Sequence, residues 1–262
     1  MNGPWPGGGT LEGAGVLITG GASGIGAAAA RRLAAAGAKV AVVDVAAGPA
    51  QDVAAEVGGY ALVGDVADPA VMPRLVAQAE ALFGRLDLVF LNAGVVAHQS
   101  GTSELDLADY RKIVGVNVDH VVYGTSAAVP ALRRAGGGTI IATASLGGLV
   151  PIPSSPLYTL TKHAVVGYVR AAGAALADDG IRMCALCPGF ANTRLITDRM
   201  DQFADFPMLS AEDVADAMYT MLDRGQPGEA WYVQPGRDPG PYGFRGVPGP
   251  IGGVRPPRLT SR

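Results

Sequence analysis

Lysine, histidine and cysteine are scarce in this chain. Its 262 residues include three lysines, three histidines and two cysteines, and only 16% of all residues are charged. The formal net charge is −3 and no block of basic residues occurs, so the electrostatic footprint of a protein that grips a nucleic-acid backbone is missing. Cys184 and Cys187 form the only Cys-x-x-Cys, a spacing that can mean a redox pair or half of a zinc site. They fall in an apolar run that reads as a buried strand, where positions three apart face opposite ways and lie ~10 Å apart. No second cysteine pair and no nearby histidine completes a metal site, so no metal is expected. The two residues read as structural thiols of a reducing cytoplasm.

Targeting and membrane signals are equally thin. The start, MNGPWPGGGTLEG, lacks a cationic stretch followed by an apolar core, so no signal peptide is expected. Residues 13–30 and 135–161 are uncharged and long enough to attract a hydropathy window. The first holds six glycines and the second three prolines, which suits strand, turn and helix better than a spanning helix. A soluble, cytoplasmic protein is the expectation.

What is present is apolar mass, 49% of the residues, in a chain long enough to bury a sizeable core. Residues 1–12 read as a loose tail. The run 16–19 is a strand, followed by a glycine turn and an alanine-rich helix closed by Gly37. Strand 39–44 ends in Asp44, and a helix over 51–57 leads to a third strand at 60–66. Asp68 and Pro69 open a helix to about Phe83. A fourth strand ends in Asn92, Ala93 and Gly94, and one long helix is predicted over 102–134. A fifth strand ends at Ser145, and a helix over 156–177 follows. A sixth strand stops at Pro188 and Gly189. Ser210 and Asp213 cap another helix, with Asp in place of the usual Glu or Gln. A seventh strand covers 229–233, and the Pro/Gly-rich tail 234–262 should be irregular. Strands alternating with helices imply one α/β domain over 1–262, a doubly wound Rossmann fold. Its expected sheet has seven parallel strands with helices on both faces.

Gly20, Gly24 and Gly26 lie between the first strand and its helix, where a dinucleotide pyrophosphate binds helix N–H groups and the positive end of the helix dipole. Asp44, 24 residues after Gly20, stands where an acid would bond the adenosine ribose hydroxyls. It would repel a 2′-phosphate, and Ser23 and Val45 offer no compensating cation, so NAD(H) is favoured over NADP(H). Further along, Tyr158 and Lys162 stand four apart on a predicted helix and share a face. A cation beside a phenol favours the phenolate and lowers its pKa toward the working range of a general base. Ser145, thirteen residues before the tyrosine, could hydrogen-bond the same substrate oxygen. With only three lysines in the chain, a lysine at this position is less readily incidental, and arginine, planar and bulkier, would substitute poorly.

At this point the chain resembles the single-domain branch of the short-chain dehydrogenase/reductase family, over about residues 13–233. Thr19, Gly20, Gly21, Ala22, Ser23, Gly24, Ile25 and Gly26 match its TGxxxGIG turn. Asp65 and Val66 match its adenine-contacting pair, and Asn92, Ala93 and Gly94 its fourth-strand motif. Asn117, Ser145, Tyr158 and Lys162 match its catalytic set, while Pro188, Gly189 and Thr193 match the segment holding the nicotinamide. The resemblance implies that Tyr158 is the general acid/base and that Ser145 orients the carbonyl or alcohol. Lys162 would bind the nicotinamide ribose and lower the tyrosine pKa, helped by the positive oxidised nicotinamide, and Asn117 would hold a water that relays protons from the lysine. It also implies a homo-oligomer, a tetramer or dimer.

The expected activity is hydride transfer between NAD(H) and a secondary alcohol or ketone. A silent NAD-binding regulator and a lyase or isomerase using the same site are the alternatives. Specificity should come from loops beyond the strand ends, carrying Leu146, Leu149, Val150, Ile152, Leu195, Ile196, Phe203, Phe206 and Met208. These suit an apolar, alicyclic or steroid-like substrate. The tail, with Tyr242 and Phe244, could cover a neighbouring subunit's site or its own. His98 reads as a loop residue, and neither His120 nor His163 receives a role.

Overall fold

The interior strands are short runs, rich in valine, isoleucine and leucine, that are apolar on both faces. Such runs need cover from both sides. The computed structural model describes residues 10–96, 102–193 and 206–247. There the strands form one sheet: β1 (Gly15–Thr19), β2 (Lys39–Asp44), β3 (Tyr60–Val63), β4 (Leu88–Leu91), β5 (Gly138–Thr143), β6 (Ile181–Pro188), β7 (Ala230–Val233) and β8 (Gly240–Pro241). Their spatial order is β3-β2-β1-β4-β5-β6-β7-β8. The first seven are parallel, and β8 runs antiparallel to β7.

The sheet thus has eight strands where seven parallel ones are expected. Two residues, one of them proline, carry no strand pattern, and proline is tolerated at a sheet edge because no ladder hydrogen bond is asked of it there. The tail is also less irregular than its composition suggests. The Tyr242 N–H donates to the Ala230 carbonyl at 2.7 Å, and the Arg170 guanidinium sits 3.7 Å from the Phe244 ring centroid.

Among the described residues seven α-helices cover the sheet: α1 (Gly24–Ala34), α2 (Ala47–Glu56), α3 (Val71–Phe83), α4 (Leu107–Val114), α5 (His120–Arg134), α6 (Pro156–Leu176) and α7 (Ala211–Arg224). Alternation along each strand sorts the core into two layers. Val16, Ile18, Val40 and Val42 pack with α1, α2 and α7, whereas Leu17, Ala41 and Val43 pack with α3, α5 and α6. Cys184 belongs to the first layer and Cys187 to the second, both buried free thiols. The strand period puts them on opposite faces, so they do not pair. Asp213 replaces glutamate in the capping box without loss: Ser210 Oγ accepts its N–H at 3.0 Å, and the Ser210 N–H donates to its carboxylate at 2.8 Å. No helix among the described residues is long and apolar enough to cross a membrane.

The helix expected over 102–134 is two helices. Asp106 caps the first, accepting from the Ala108 N–H at 2.8 Å and the Asp109 N–H at 3.3 Å, so it begins at Leu107. A π-helical turn, Gly115–Asp119, then separates α4 from α5. Such wider turns occur mostly as single-turn bulges inside α-helices, often at functional sites, and this one carries Asn117 inward to 1% exposure. Other boundaries shift by a few residues. The third strand ends at Val63, α2 begins at Ala47, and α3 begins at Val71 after the Asp68 carboxylate accepts the Ala70 N–H at 2.9 Å. The chain goes from β1 outward to β2 and β3, then returns to place β4 on the other side of β1. A crevice opens at the carboxyl ends of strands where the order reverses in this way.

Candidate active site

The glycine turn after β1 is built from backbone conformation and close approach. Gly20 and Gly24 have φ of +63° and +49°, values that suit glycine. At Gly26 the demand is space: a Cβ there would lie 2.1 Å from the Gly20 carbonyl oxygen and 2.8 Å from Asn92 Nδ2. Ser23 occupies the N-cap of α1 with an extended backbone and makes no side-chain cap bond. Ser23, Gly24 and Ile25, at the start of α1, border the crevice. This is a cradle that suits a pyrophosphate.

Next to it, Asp44 ends β2 with both carboxylate oxygens anchored. Oδ2 accepts the Ala22 N–H at 3.2 Å and Oδ1 accepts the Ala46 N–H at 3.1 Å. Asp65, exposed, accepts the Ala67 N–H at 3.0 Å, and Val66 is buried beside it. Asn92 ties the two halves of the crevice together. Its Nδ2 donates to the Thr19 and Gly20 carbonyls at 3.2 and 3.4 Å, and its Oδ1 accepts the Thr143 hydroxyl at 3.0 Å.

Across the crevice, Ser145 follows β5 and caps the 3-10 turn Leu146–Gly148, its Oγ accepting the Gly147 N–H at 3.1 Å. A Cβ on Gly148 would lie 2.5 Å from the Lys162 carbonyl oxygen, so that glycine lets the turn press against α6. The Ser145 side chain neighbours the Tyr158 phenol and draws its pKa down. Lys162 is 3% exposed, donates from Nζ to the Thr143 carbonyl at 2.8 Å, and holds Nζ 5.6 Å from the centre of the Tyr158 ring. Burial draws the Lys162 ammonium down to about 8. The tyrosine departs from expectation. Burial pushes its phenol above the ordinary value, and Ser145 offsets this only in part. Desolvation is the dominant influence on the phenol.

These groups share one cleft of about 1090 Å³. Of the candidate catalytic and cofactor-binding residues, all border it except Thr19, Gly21, Ala22 and Gly26 of the turn, and Asn117. The Asn117 carboxamide faces protein: Oδ1 accepts the Val95 N–H at 2.8 Å, while Nδ2 donates to the Val95 carbonyl at 2.9 Å and to Thr161 Oγ1 at 3.2 Å. Pro188, Gly189 and Thr193 close the far wall, and a Cβ on Gly24 would lie 3.3 Å from the Thr193 methyl.

Of the predicted specificity residues, Leu146, Val150 and Ile152 line the cleft, Leu149 packs into the core, and Phe206 and Met208 lie off the wall. His98, Leu195, Ile196 and Phe203 fall outside the described residues. Arg111 and Lys112 also border the cleft and were missed. Their signal is position, about one turn before Gly115, where a Cβ would lie 3.1 Å from the Ala67 side chain. Among the described residues no group of three or more His, Cys, Asp or Glu could hold a metal.

The sequence profile of the short chain dehydrogenases matches residues 14–203. Cyclohexanol dehydrogenase of Acinetobacter sp. (strain SE19) is 40% identical over 187 residues, 70% of this chain and 74% of that protein. Levodione reductase of Leifsonia aquatica is 35% identical over 206 residues, 76% and 77% of the two chains. Among solved structures, 3-ketoacyl-(acyl-carrier-protein) reductase from Brucella melitensis complexed with NADH superposes with a TM-score of 0.80 at 32% identity. That match covers 87% of this chain and 99% of the other. With this cleft and these relatives, the chain belongs to the short-chain dehydrogenase/reductase family and is an oxidoreductase of CH–OH groups.

Proposed function

We propose that the chain transfers a hydride between NAD(H) and an apolar, alicyclic secondary alcohol or its ketone. One observation carries this reading: Ser145, Tyr158 and Lys162 converge on the same cleft as the glycine turn and Asp44. A nicotinamide cofactor would supply or accept the hydride, while the protein binds, orients and manages the proton. Tyr158 would exchange that proton with the substrate oxygen. Ser145 Oγ accepts one backbone N–H and keeps its own proton for the phenol or the substrate.

Lys162 spends one N–H on Thr143 and has two left for a ribose hydroxyl and the tyrosine side. Since burial chiefly holds the phenol high, lowering its pKa would need the positive charge of oxidised nicotinamide in addition to the ammonium. Asn117 Oδ1 and Lys162 Nζ each lie 3.5 Å from the point a Cβ on Gly94 would occupy. The missing side chain leaves room between them, which supports a water relaying protons outward from the lysine.

Asp44, fixed by two backbone N–H groups, supports NAD(H) over a 2′-phosphorylated cofactor. The apolar wall of Leu146, Val150, Ile152 and Phe190 supports an alicyclic ring, as do the substrates for which cyclohexanol dehydrogenase and levodione reductase are named. The convergence of the trio favours catalysis over a silent regulator. The test is NADH absorbance during incubation of NAD⁺ with cyclohexanol and related ring alcohols. Turnover should be lost in Tyr158→Phe with cofactor binding retained; undiminished turnover in that variant would overturn the mechanism.

A further inference from the structure

His120 opens α5, is fully buried, and borders no part of the cleft, yet its bonds run toward the chemistry. Thr19 Oγ1 accepts the Asn92 N–H at 2.9 Å and the Ala93 N–H at 3.2 Å. Those two bonds use both lone pairs of a hydroxyl, so Thr19 must give its own proton away. His120 Nε2 is 2.9 Å distant, and the competing Phe90 carbonyl is 3.4 Å distant. The other ring nitrogen, Nδ1, lies 3.1 Å from the Val116 carbonyl, which can only accept. One arrangement satisfies every group: a neutral imidazole protonated on Nδ1, with Nε2 accepting from Thr19. From Thr19 the bonds continue through Asn92 to the Thr143 hydroxyl, and the Thr143 carbonyl holds Lys162 Nζ at 2.8 Å. Val116, the residue before Asn117, lies within the π turn.

We propose that His120 is a positioning residue for hydride transfer, orienting the Thr19 hydroxyl so that Asn92, Ala93 and Gly94 are locked to the cofactor turn and Lys162 is aimed. The proposal rests on the NAD-linked reading above for its catalytic consequence, but the positioning itself can be read without cofactor.

The test compares His120→Leu, which removes the acceptor, with His120→Gln, whose side-chain carbonyl can accept from Thr19. In His120→Leu, NAD⁺ binding should weaken at least about fivefold and kcat fall roughly tenfold or more, as misplacement of a catalytic group does. His120→Gln should recover most of both. Thr19→Val should cost as much as His120→Leu, and the double variant little more than either, since both break one chain of bonds. Without cofactor, NMR titration of Lys162, one of three lysines, should move upward from about 8 in His120→Leu but not in His120→Gln. Absence of NAD⁺ turnover in the wild type, with the Lys162 titration still shifting, would fail the function and leave the positioning intact. Wild-type kinetics and an unmoved Lys162 in His120→Leu, with only thermal stability lost, would reduce His120 to packing and overturn the proposal.

Discussion

Acid should destabilise this protein through His120 by an amount the structure allows one to work out. Burial lowers the His120 pKa from 6.5 to about 4, reinforced by the Lys162 charge and opposed by the bond to the Val116 carbonyl. In the unfolded chain the ring takes up its proton near 6.5; in the folded chain it does so only near 4. Between those values the unfolded state binds more protons, so stability falls as pH drops from about 6.5 to about 4 and loses nothing further from this group below that. A difference of about 2.5 pKa units, at 1.36 kcal/mol each, is about 3 kcal/mol. At roughly 2–4 °C per kcal/mol for a chain near this size, Tm should fall by roughly 6–12 °C from this group alone. Carboxylates titrate over the same range, so the measurement is a difference: calorimetric Tm against pH for the wild type minus that for His120→Gln. The gap should close or change by that amount toward pH 4, and the ring signal absent from the variant should titrate near 4 by NMR. A flat difference profile, or a ring titrating at an ordinary histidine pKa, would refute both the neutral tautomer and the bonding order built on it.

Two further substitutions probe the cofactor half. Asp44→Ala should raise kcat/KM with NADP⁺ relative to NAD⁺ by roughly tenfold or more, because like charges ~5 Å apart at an effective dielectric of ~20 repel by about 3 kcal/mol. A wild type that already prefers NADP⁺ would contradict the role given to Asp44. Gly26→Ala would place a methyl 2.1 Å from the Gly20 carbonyl oxygen, a backbone atom that cannot swing aside. Dinucleotide affinity, measured by calorimetric titration, should drop at least tenfold, as misplaced binding groups do; unchanged affinity would mean the turn has slack the structure does not show.

Much of the fold was legible because it is local. The glycine turn, Asp44 at the end of β2, the box at Ser210 and Asp213, and the opposite facing of Cys184 and Cys187 all follow from period and capping over a few residues. The π turn was not legible, since 115–119 (GVNVD) keeps an acceptable helical pattern and only packing against Val95 and Thr161 reveals the extra residue. Nor was β8, two residues long, whose pairing depends on an open edge at β7.

The site divides along the same line. Residue type and spacing were enough to single out Ser145, Tyr158, Lys162 and the glycine turn as candidates, because each belongs to an element boundary that a short stretch of chain specifies. The state of those groups came from the fold. The phenol is raised, not lowered, because its environment is drier than spacing can reveal, and desolvation depends on everything packed around it. His120 tells the same story at longer range: its partner Thr19 is 101 residues away. A sequence read along its length carries periodicity and caps; which buried donor meets which acceptor is settled only when distant strands close against one another and exclude water.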